Sequence, residues 1–379
     1  MKIIVIAGRF GISGVPLAQM RFARALAKRG HIVELVYGMV NERHTLPCVE
    51  DVDVRTLNKS RVTQMLLPLI GYFRTAKPDI VFSAGDHLNV IVLMAALLSR
   101  SRAKVSCSSR VTPFDTYSTV PFSKGWILKL MARLTMWRAD VLTCVSADMV
   151  DQYRTIFKNT RHTCAYNIVD DAYSRQAMCA AADDPWLEDK QKPLIVAAGS
   201  LVPWKGFTDL IAAMSKVLQR VDARLLILGE GPMRAELTEL ISQHGLVESV
   251  RLPGNVENPL AYFRRADVFV LSSYVEGMPN VLVEAMLCGC TPVAADCPTG
   301  PREVLQQGRH GYLVPMRDPV LLSEGILRAL RNPVPAEQLK AAILPFREDV
   351  VIARHFELLG IKDVPDTSEI SLKTYATEE

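Results

Sequence analysis

Pro193-Leu194-Ile195-Val196-Ala197-Ala198 reads as a strand, Gly199-Ser200-Leu201-Val202-Pro203-Trp204-Lys205-Gly206 as a loop, and residues 207–220 carry the apolar spacing of a helix. An apolar strand at 224–228 follows at once. The same succession stands at the beginning. Lys2-Ile3-Ile4-Val5-Ile6-Ala7-Gly8 leads into a loop with Gly11 and Gly14, an amphipathic helix at 16–29 closed by Gly30, and a strand at 31–37. Continuous apolar strands alternating with helical periodicity indicate parallel sheets covered on both faces. Two such starts about 190 residues apart predict an α/β chain of two Rossmann-like, doubly wound domains. Further strands are expected at 79–82, 104–108 and 141–145, and at 250–252, 268–271 and 291–295. The expected boundaries are an N-terminal domain at 1–169, a linker at 170–192 and a C-terminal domain at 193–345. Residues 346–379 are expected to hold a helix at 348–359 and a polar tail from 363 that is mobile.

At 379 residues the chain exceeds what one hydrophobic core serves. With 49% apolar and 22% charged residues it is of ordinary globular composition. The longest apolar run, 90–98, is far shorter than the roughly 20 residues of a membrane span, and residues 1–8 lack a signal-peptide pattern. Cysteines 48, 107, 144, 164, 179, 288, 290 and 297 are scattered without a C-x-x-C, so reduced core thiols in the cytoplasm are expected. The net charge of +4 is asymmetric: residues 1–168 hold 23 Lys and Arg against 11 Asp and Glu, and the remainder holds 21 against 29. A basic half joined to an acidic one points the first toward an anionic partner, membrane or nucleic acid. The other reading is unevenly spread surface charge. No aromatic-basic recognition motif supports nucleic acid.

Ligands of open parallel sheets bind beyond the carboxyl ends of the strands, so the cleft between two such edges is the expected site. Lys205 stands beside a helix start, where free N–H groups and the dipole favour phosphate. Leu228-Gly229-Glu230-Gly231-Pro232 is a tight turn after a strand, with Arg234 where a dinucleotide fingerprint has glycine. In Glu276-Gly277-Met278-Pro279-Asn280-Val281-Leu282-Val283-Glu284 the chain turns and enters a helix near Asn280. Glu276 and Glu284 then flank an anion site, suited to hydroxyls on either side of a diphosphate, as in a nucleotide-sugar. The alternative is a solvated Glu276 and a first-turn Glu284. Cys297-Pro298-Thr299-Gly300-Pro301-Arg302-Glu303-Val304 is another loop entering a helix, and the segment 308–315 reads as a structural turn and strand.

These segments, in this order, resemble the retaining glycosyltransferases of family 4, whose fold is GT-B: two Rossmann-like domains facing across a cleft. Tyr166-Asn167-Ile168-Val169-Asp170 is similar to the family's interdomain Y-N-x-x-D, and the likeness runs from about residue 2 to 360. The resemblance implies Lys205 on the donor diphosphate, Glu284 on ribose and Glu276 on sugar hydroxyls. It implies the backbone of Met278, Pro279, Asn280 and Val281 along the diphosphate and sugar, and Asn255 and Val256 along the base. Gly11 and Gly14 would admit the phosphates to the first domain. Gly229, Gly231 and Ser200 complete the donor set, Ser200 standing where many members have Arg. Catalytic candidates are Glu276, Lys205 and Arg110; acceptor-side candidates are His87, Ser109 and Arg110.

The resemblance implies a UDP-hexose or UDP-N-acetylhexosamine donor and a glycan or polyprenyl-diphosphate-linked acceptor in the synthesis of exopolysaccharide, capsule or lipopolysaccharide. A nucleotide-sugar epimerase of the same fold is the alternative. An NAD-dependent oxidoreductase fits less well, because neither glycine loop has the fingerprint spacing. Asp51-Val52-Asp53 reads as a solvated loop, and no metal or other cofactor is expected. Residues 122–138 combine Lys129 and Arg133 with Trp126, Leu130 and Trp137 at helical spacing, the pattern of a helix lying in a bilayer interface. The competing reading turns those apolar residues into the core. The expectation is a peripheral protein at the inner membrane leaflet, held through its first domain.

Overall fold

The computed structural model describes residues 1–11, 14–40, 45–158, 160–182, 184–188 and 191–362. The chain divides into two compact units, one of Met1–Ile168 with the segment from Glu348 onward, the other of Val169–Arg347.

In the first unit, β1 (Lys2–Phe10), β2 (Ile32–Val40), β3 (Val52–Thr56), β4 (Ile80–Ala84), β5 (Lys104–Ser109), β6 (Val141–Cys144) and β7 (His162–Cys164) form one sheet. Its order is β3-β2-β1-β4-β5-β6-β7, and every pairing is parallel. Alternate side chains of each strand point to opposite faces. Ile3, Val5, Val33 and Leu35 accordingly join a cluster with Phe22 and Leu26 of the helix Gly14–Lys28. Ile4, Ile6, Val81 and Val105 join another with Leu69, Leu88 and Val92 on the other face.

The second unit repeats the plan with β8 (Leu194–Ala198), β9 (Arg224–Leu228), β10 (Val250–Gly254), β11 (Val268–Leu271), β12 (Thr291–Ala295) and β13 (Tyr312–Val314) in the order β10-β9-β8-β11-β12-β13. In both sheets the strand order reverses beside the first strand, between β1 and β4 and between β8 and β11. Each reversal leaves a crevice at the carboxyl edge.

Three expectations are corrected. Residues 170–192 are not a bare linker. Trp186 and Leu187 are buried in the second unit, and the guanidiniums of Arg224 and Arg251 lie 5.2 and 4.0 Å from the Trp186 ring centroid. Asn258 Nδ2 also donates to the Ala177 carbonyl at 2.7 Å. The helix Glu348–Leu358 is no appendage: it returns to the first unit, where Val351, Ile352 and Phe356 join the cluster around Phe22. Asp51-Val52-Asp53 is not a solvated loop, because Val52 and Asp53 lie in β3. That edge strand alternates half-buried and exposed residues, too weak a pattern to read from five positions. Asp53 Oδ2 accepts from Arg55 Nε at 2.8 Å. The tail expected to be mobile lies outside the described residues.

Candidate active site

In the second unit the loops after β8 and β11 meet at the reversal of strand order. Lys205 closes a short turn, Pro203–Lys205, and Gly206 follows at φ 65°. A Cβ on Gly206 would lie 2.1 Å from the Ser272 carbonyl oxygen, so only glycine lets the two loops pack. Ser272 Oγ donates to the Lys205 carbonyl (2.8 Å), and the Tyr274 N–H to the Trp204 carbonyl (2.8 Å). So placed, Lys205 Nζ reaches Glu276 Oε1 at 2.5 Å, with side chains only 18% and 11% exposed. Ser273 Oγ donates to the same carboxylate oxygen at 2.7 Å.

The loop after β12 braces this pair. The Glu276 N–H donates to the Pro298 carbonyl at 2.9 Å. Thr299 Oγ1 lies 2.8 and 2.9 Å from the carbonyls of Glu276 and Gly277. On the other flank the Tyr274 hydroxyl donates to Asp209 Oδ2 (2.9 Å) while Arg317 lies over the Tyr274 ring (4.3 Å). Ser273, Tyr274, Asp209, Thr299 and Arg317 escaped the sequence reading. They are ordinary polar residues whose role exists only once three loops converge.

Gly229 and Gly231 do permit close approach, but to protein backbone. A Cβ on Gly229 would lie 2.0 Å from the Gly199 carbonyl oxygen, and one on Gly231 2.4 Å from that of Leu201. The turn after β9 thus supports the Lys205 loop from beneath. Glu230, in the loop after β9, pairs with Arg234 at the start of the next helix, and Arg234's hydrogen bonds hold the exposed carboxyl below its usual range. Met278 and Pro279 are buried, Asn280 opens the helix Asn280–Leu287 that carries Glu284, and Ser200 and Asn255 are exposed with Val256 half-buried. Burial pushes the Cys297 thiol up to about 12, the property of a packing residue rather than a nucleophile.

In the first unit His87 is exposed in the first turn of the helix Asp86–Leu98. Gly11 is buried and Gly14 opens its helix; residues 12 and 13 between them lie outside the described residues. Ser109 and Arg110, expected on the acceptor side, are directed inward. Ser109 Oγ donates to Asp86 Oδ1 at 2.9 Å, joined by the hydroxyls of Tyr117 (2.9 Å) and Tyr153 (2.7 Å). Burial with no cation raises the Asp86 pKa against the lowering effect of these three donors. Arg110 Nη1 donates to Asn167 Oδ1 of the Tyr166-Asn167 motif, and burial lowers its guanidinium to about 10. Arg110 lines a small cavity with Ser106, Ser108, Tyr166, Asn167 and His355. Asp86 escaped the sequence reading, since burial of an acid after a strand has no sequence signature.

The model of Glycosyltransferase Family 4 matches residues 12–173 and that of Glycosyl transferases group 1 residues 181–343. The chain is 27% identical, over 76% of its length and 77% of the relative's, to the N-acetylgalactosamine-N,N'-diacetylbacillosaminyl-diphospho-undecaprenol 4-alpha-N-acetylgalactosaminyltransferase of Campylobacter jejuni. It is 25% identical to the amylovoran biosynthesis glycosyltransferase AmsD of Erwinia amylovora, over 89% and 91%. A further glycosyltransferase relative at 27% identity is matched over only 62% of its own length. Among solved structures, Anabaena Alr3699/HepE in complex with UDP and glucose superposes with a TM-score of 0.72 at 19% identity, over 95% of this chain and 99% of that one.

Proposed function

The chain belongs to the family 4 glycosyltransferases of the GT-B fold, and on that premise we propose that it moves a sugar, with retention of configuration, from a UDP-sugar to a glycan or polyprenyl-diphosphate-linked acceptor in surface polysaccharide synthesis. The observation that carries the reading is the enclosed Lys205–Glu276 pair at the strand reversal of the second sheet. An ammonium beside a helix start is suited to the donor diphosphate, and a carboxylate held 2.5 Å from it to the hydroxyls of the transferred sugar. Glu284 is assigned to the ribose, Asn255 and Val256 to the base, and the backbone of residues 278–281 to the diphosphate. In the transfer the bond from the sugar's anomeric carbon to the diphosphate breaks with its electron pair on the phosphate oxygen. The acceptor oxygen bonds that carbon from the same face and releases its proton to the leaving phosphate. Lys205 stabilises the charge that develops there. UDP as the nucleotide is supported by the UDP complex of the HepE neighbour, and a lipid-linked acceptor by the diphospho-undecaprenol named for the Campylobacter relative.

Thermal-shift titration with UDP-, GDP- and ADP-sugars tests the donor, since stabilisation follows RT ln(1 + [L]/Kd). A preference for a nucleotide other than UDP overturns that assignment. Glu276→Ala should lose turnover with little loss of donor affinity; an unchanged rate removes Glu276 from the site.

The helix Lys124–Thr135 supports work at the cytoplasmic membrane surface. Leu128, Ala132 and Thr135 face the core, whereas Ile127, Leu130 and Leu134, three and four residues apart, are exposed. Phe122 (84% exposed) and Trp137 (66%) extend this apolar face at its two ends, and Lys124 and Arg133 are exposed alongside it. Such a helix lies in an anionic interface with its cations at headgroup level. Co-sedimentation with anionic vesicles at low salt, lost at high salt and with neutral lipid, is expected. Equal partitioning into both lipids, or none, refutes it.

A further inference from the structure

At the amino ends of β4 and β5, the sheet edge opposite Asp86 and Arg110, lies a groove of about 830 Å3. Arg74, Lys77, Arg100, Arg102 and Lys104 line it. Asp79 is its one acidic lining residue, and Asp79 Oδ2 already accepts from the backbone N–H of Lys2 at 2.7 Å. Cations at helix ends ordinarily complement the C-terminal dipole, which accounts for two of the five. Arg74 Nη2 donates to the Leu98 carbonyl at 3.2 Å and Lys104 Nζ to the Leu359 carbonyl. The side chains of Lys77, Arg100 and Arg102 have no hydrogen bond or ion pair with a described residue. Lys77 and Arg100 moreover hold left-handed backbone positions, φ 44° and 56°, just past their helices, where glycine is usual. Charged side chains therefore occupy both places that backbone geometry alone would give to glycine.

The groove also adjoins the exposed apolar face described above. Arg138 Nη2 donates to the carbonyls of Ser101 and Ala103, both at 2.9 Å, tying the end of the Trp137 segment to the groove wall. Leu98, whose carbonyl accepts from Arg74 and which stands two residues before Arg100, is 54% exposed.

We infer that this groove binds the phosphate headgroup of an anionic glycerophospholipid in the leaflet on which the helix Lys124–Thr135 rests. Two guanidiniums and an ammonium without carboxylate partners match a phosphate diester, and guanidiniums can engage its oxygens in pairs. The groove exceeds a headgroup in volume; the acyl chains stay in the leaflet, and the neighbouring apolar face serves only to seat the protein on it. The inference takes its setting from the membrane reading but is made by other residues, at the amino edge of the first unit's sheet.

Monomeric dihexanoyl-phosphatidylglycerol, titrated into the full-length protein without vesicles and followed by calorimetry, is the direct test. Saturable 1:1 binding is expected, lost in Arg100→Ser/Arg102→Ser and kept in Leu130→Ser/Leu134→Ser, with melting temperatures showing that both variants fold. Vesicle partitioning should fall about fivefold per removed groove cation. No saturable binding to the wild type, or binding that survives Arg100→Ser/Arg102→Ser, overturns the inference. Inorganic phosphate competing at the same concentration as the lipid also overturns it, because the site would then be one for free phosphate. Soluble lipid bound by a protein that ignores vesicles upholds the groove and refutes only the membrane reading.

Discussion

Replacing His355 with leucine separates the acid sensitivity of the first unit from its packing. His355 is 7% exposed, its ring centroid 4.9 Å from Phe22 and 5.7 Å from Phe82, and its Nδ1 has no hydrogen-bond partner among the described residues. Burial, followed by the charges of Arg110 and Arg354, holds the imidazole down at about 3. In the unfolded chain it titrates near 6.5. A histidine depressed in this way contributes stability that is complete above pH 6.5 and lost as pH falls toward 3, because only the unfolded chain takes up the proton. At 1.36 kcal/mol per unit, the loss at pH 5.0 is about 2 kcal/mol. His355→Leu has nothing to titrate there, so its stability relative to wild type should rise by about 2 kcal/mol between pH 7.5 and pH 5.0. For a unit of roughly 200 residues that is a gain of about 4–8 °C in Tm. Scanning calorimetry at constant ionic strength measures it, with the first-unit transition assigned by hydrogen exchange in residues 348–358. His162, held down at about 4 by burial, adds an acid loss of the same sign to both proteins and cancels in the comparison. Parallel wild-type and variant curves from pH 7.5 to 5.0 would refute the reasoning.

Lys205→Met leaves the Glu276 carboxylate without its 2.5 Å partner, and should lower stability by about 1–3 kcal/mol in urea unfolding and abolish measurable transfer. Gly229→Ala should cost about 2–4 kcal/mol, since its Cβ would fall 2.0 Å from the Gly199 carbonyl oxygen at φ 139°. Gly245→Ala, at φ 67° with nothing within 4 Å, should cost about 1 kcal/mol; equal effects in urea would show that contact does not decide the difference. Tyr153→Phe removes the 2.7 Å donor to Asp86 and should lower the urea midpoint by the equivalent of about 1–3 kcal/mol at unchanged slope.

The residues that determine the fold announce themselves locally. Ile3–Ala7 and Leu194–Ala198 are buried over their whole length because both faces of a parallel sheet are covered, so the apolar run and the glycine loop after it are visible in one short window. The local placement of Lys205 and Glu276 in loops after strands, and of Glu284 on the helix that follows, was legible for a similar reason, since each stands at a fixed offset from a strand end or a helix start. The extent of the units was not legible. The helix Glu348–Leu358 joins a core formed more than 300 residues earlier, and no window of sequence records that Val351 and Ile352 share a cluster with Phe22. Arg110 and Ser109 show the same limit at side-chain scale. Arg110 follows β5 and Ser109 is its last residue, and the partners that turn them inward, Asn167 and Asp86, come from other elements of the unit. On the helix Lys124–Thr135 the sequence determined amphipathic spacing, but its many apolar positions exceed one face. Only packing against the first unit's core decided that Leu128 and Ala132 are buried while Ile127, Leu130 and Leu134 face outward. Periodicity along a chain specifies which residues share a face; which face meets the core depends on neighbours that the chain brings up from elsewhere.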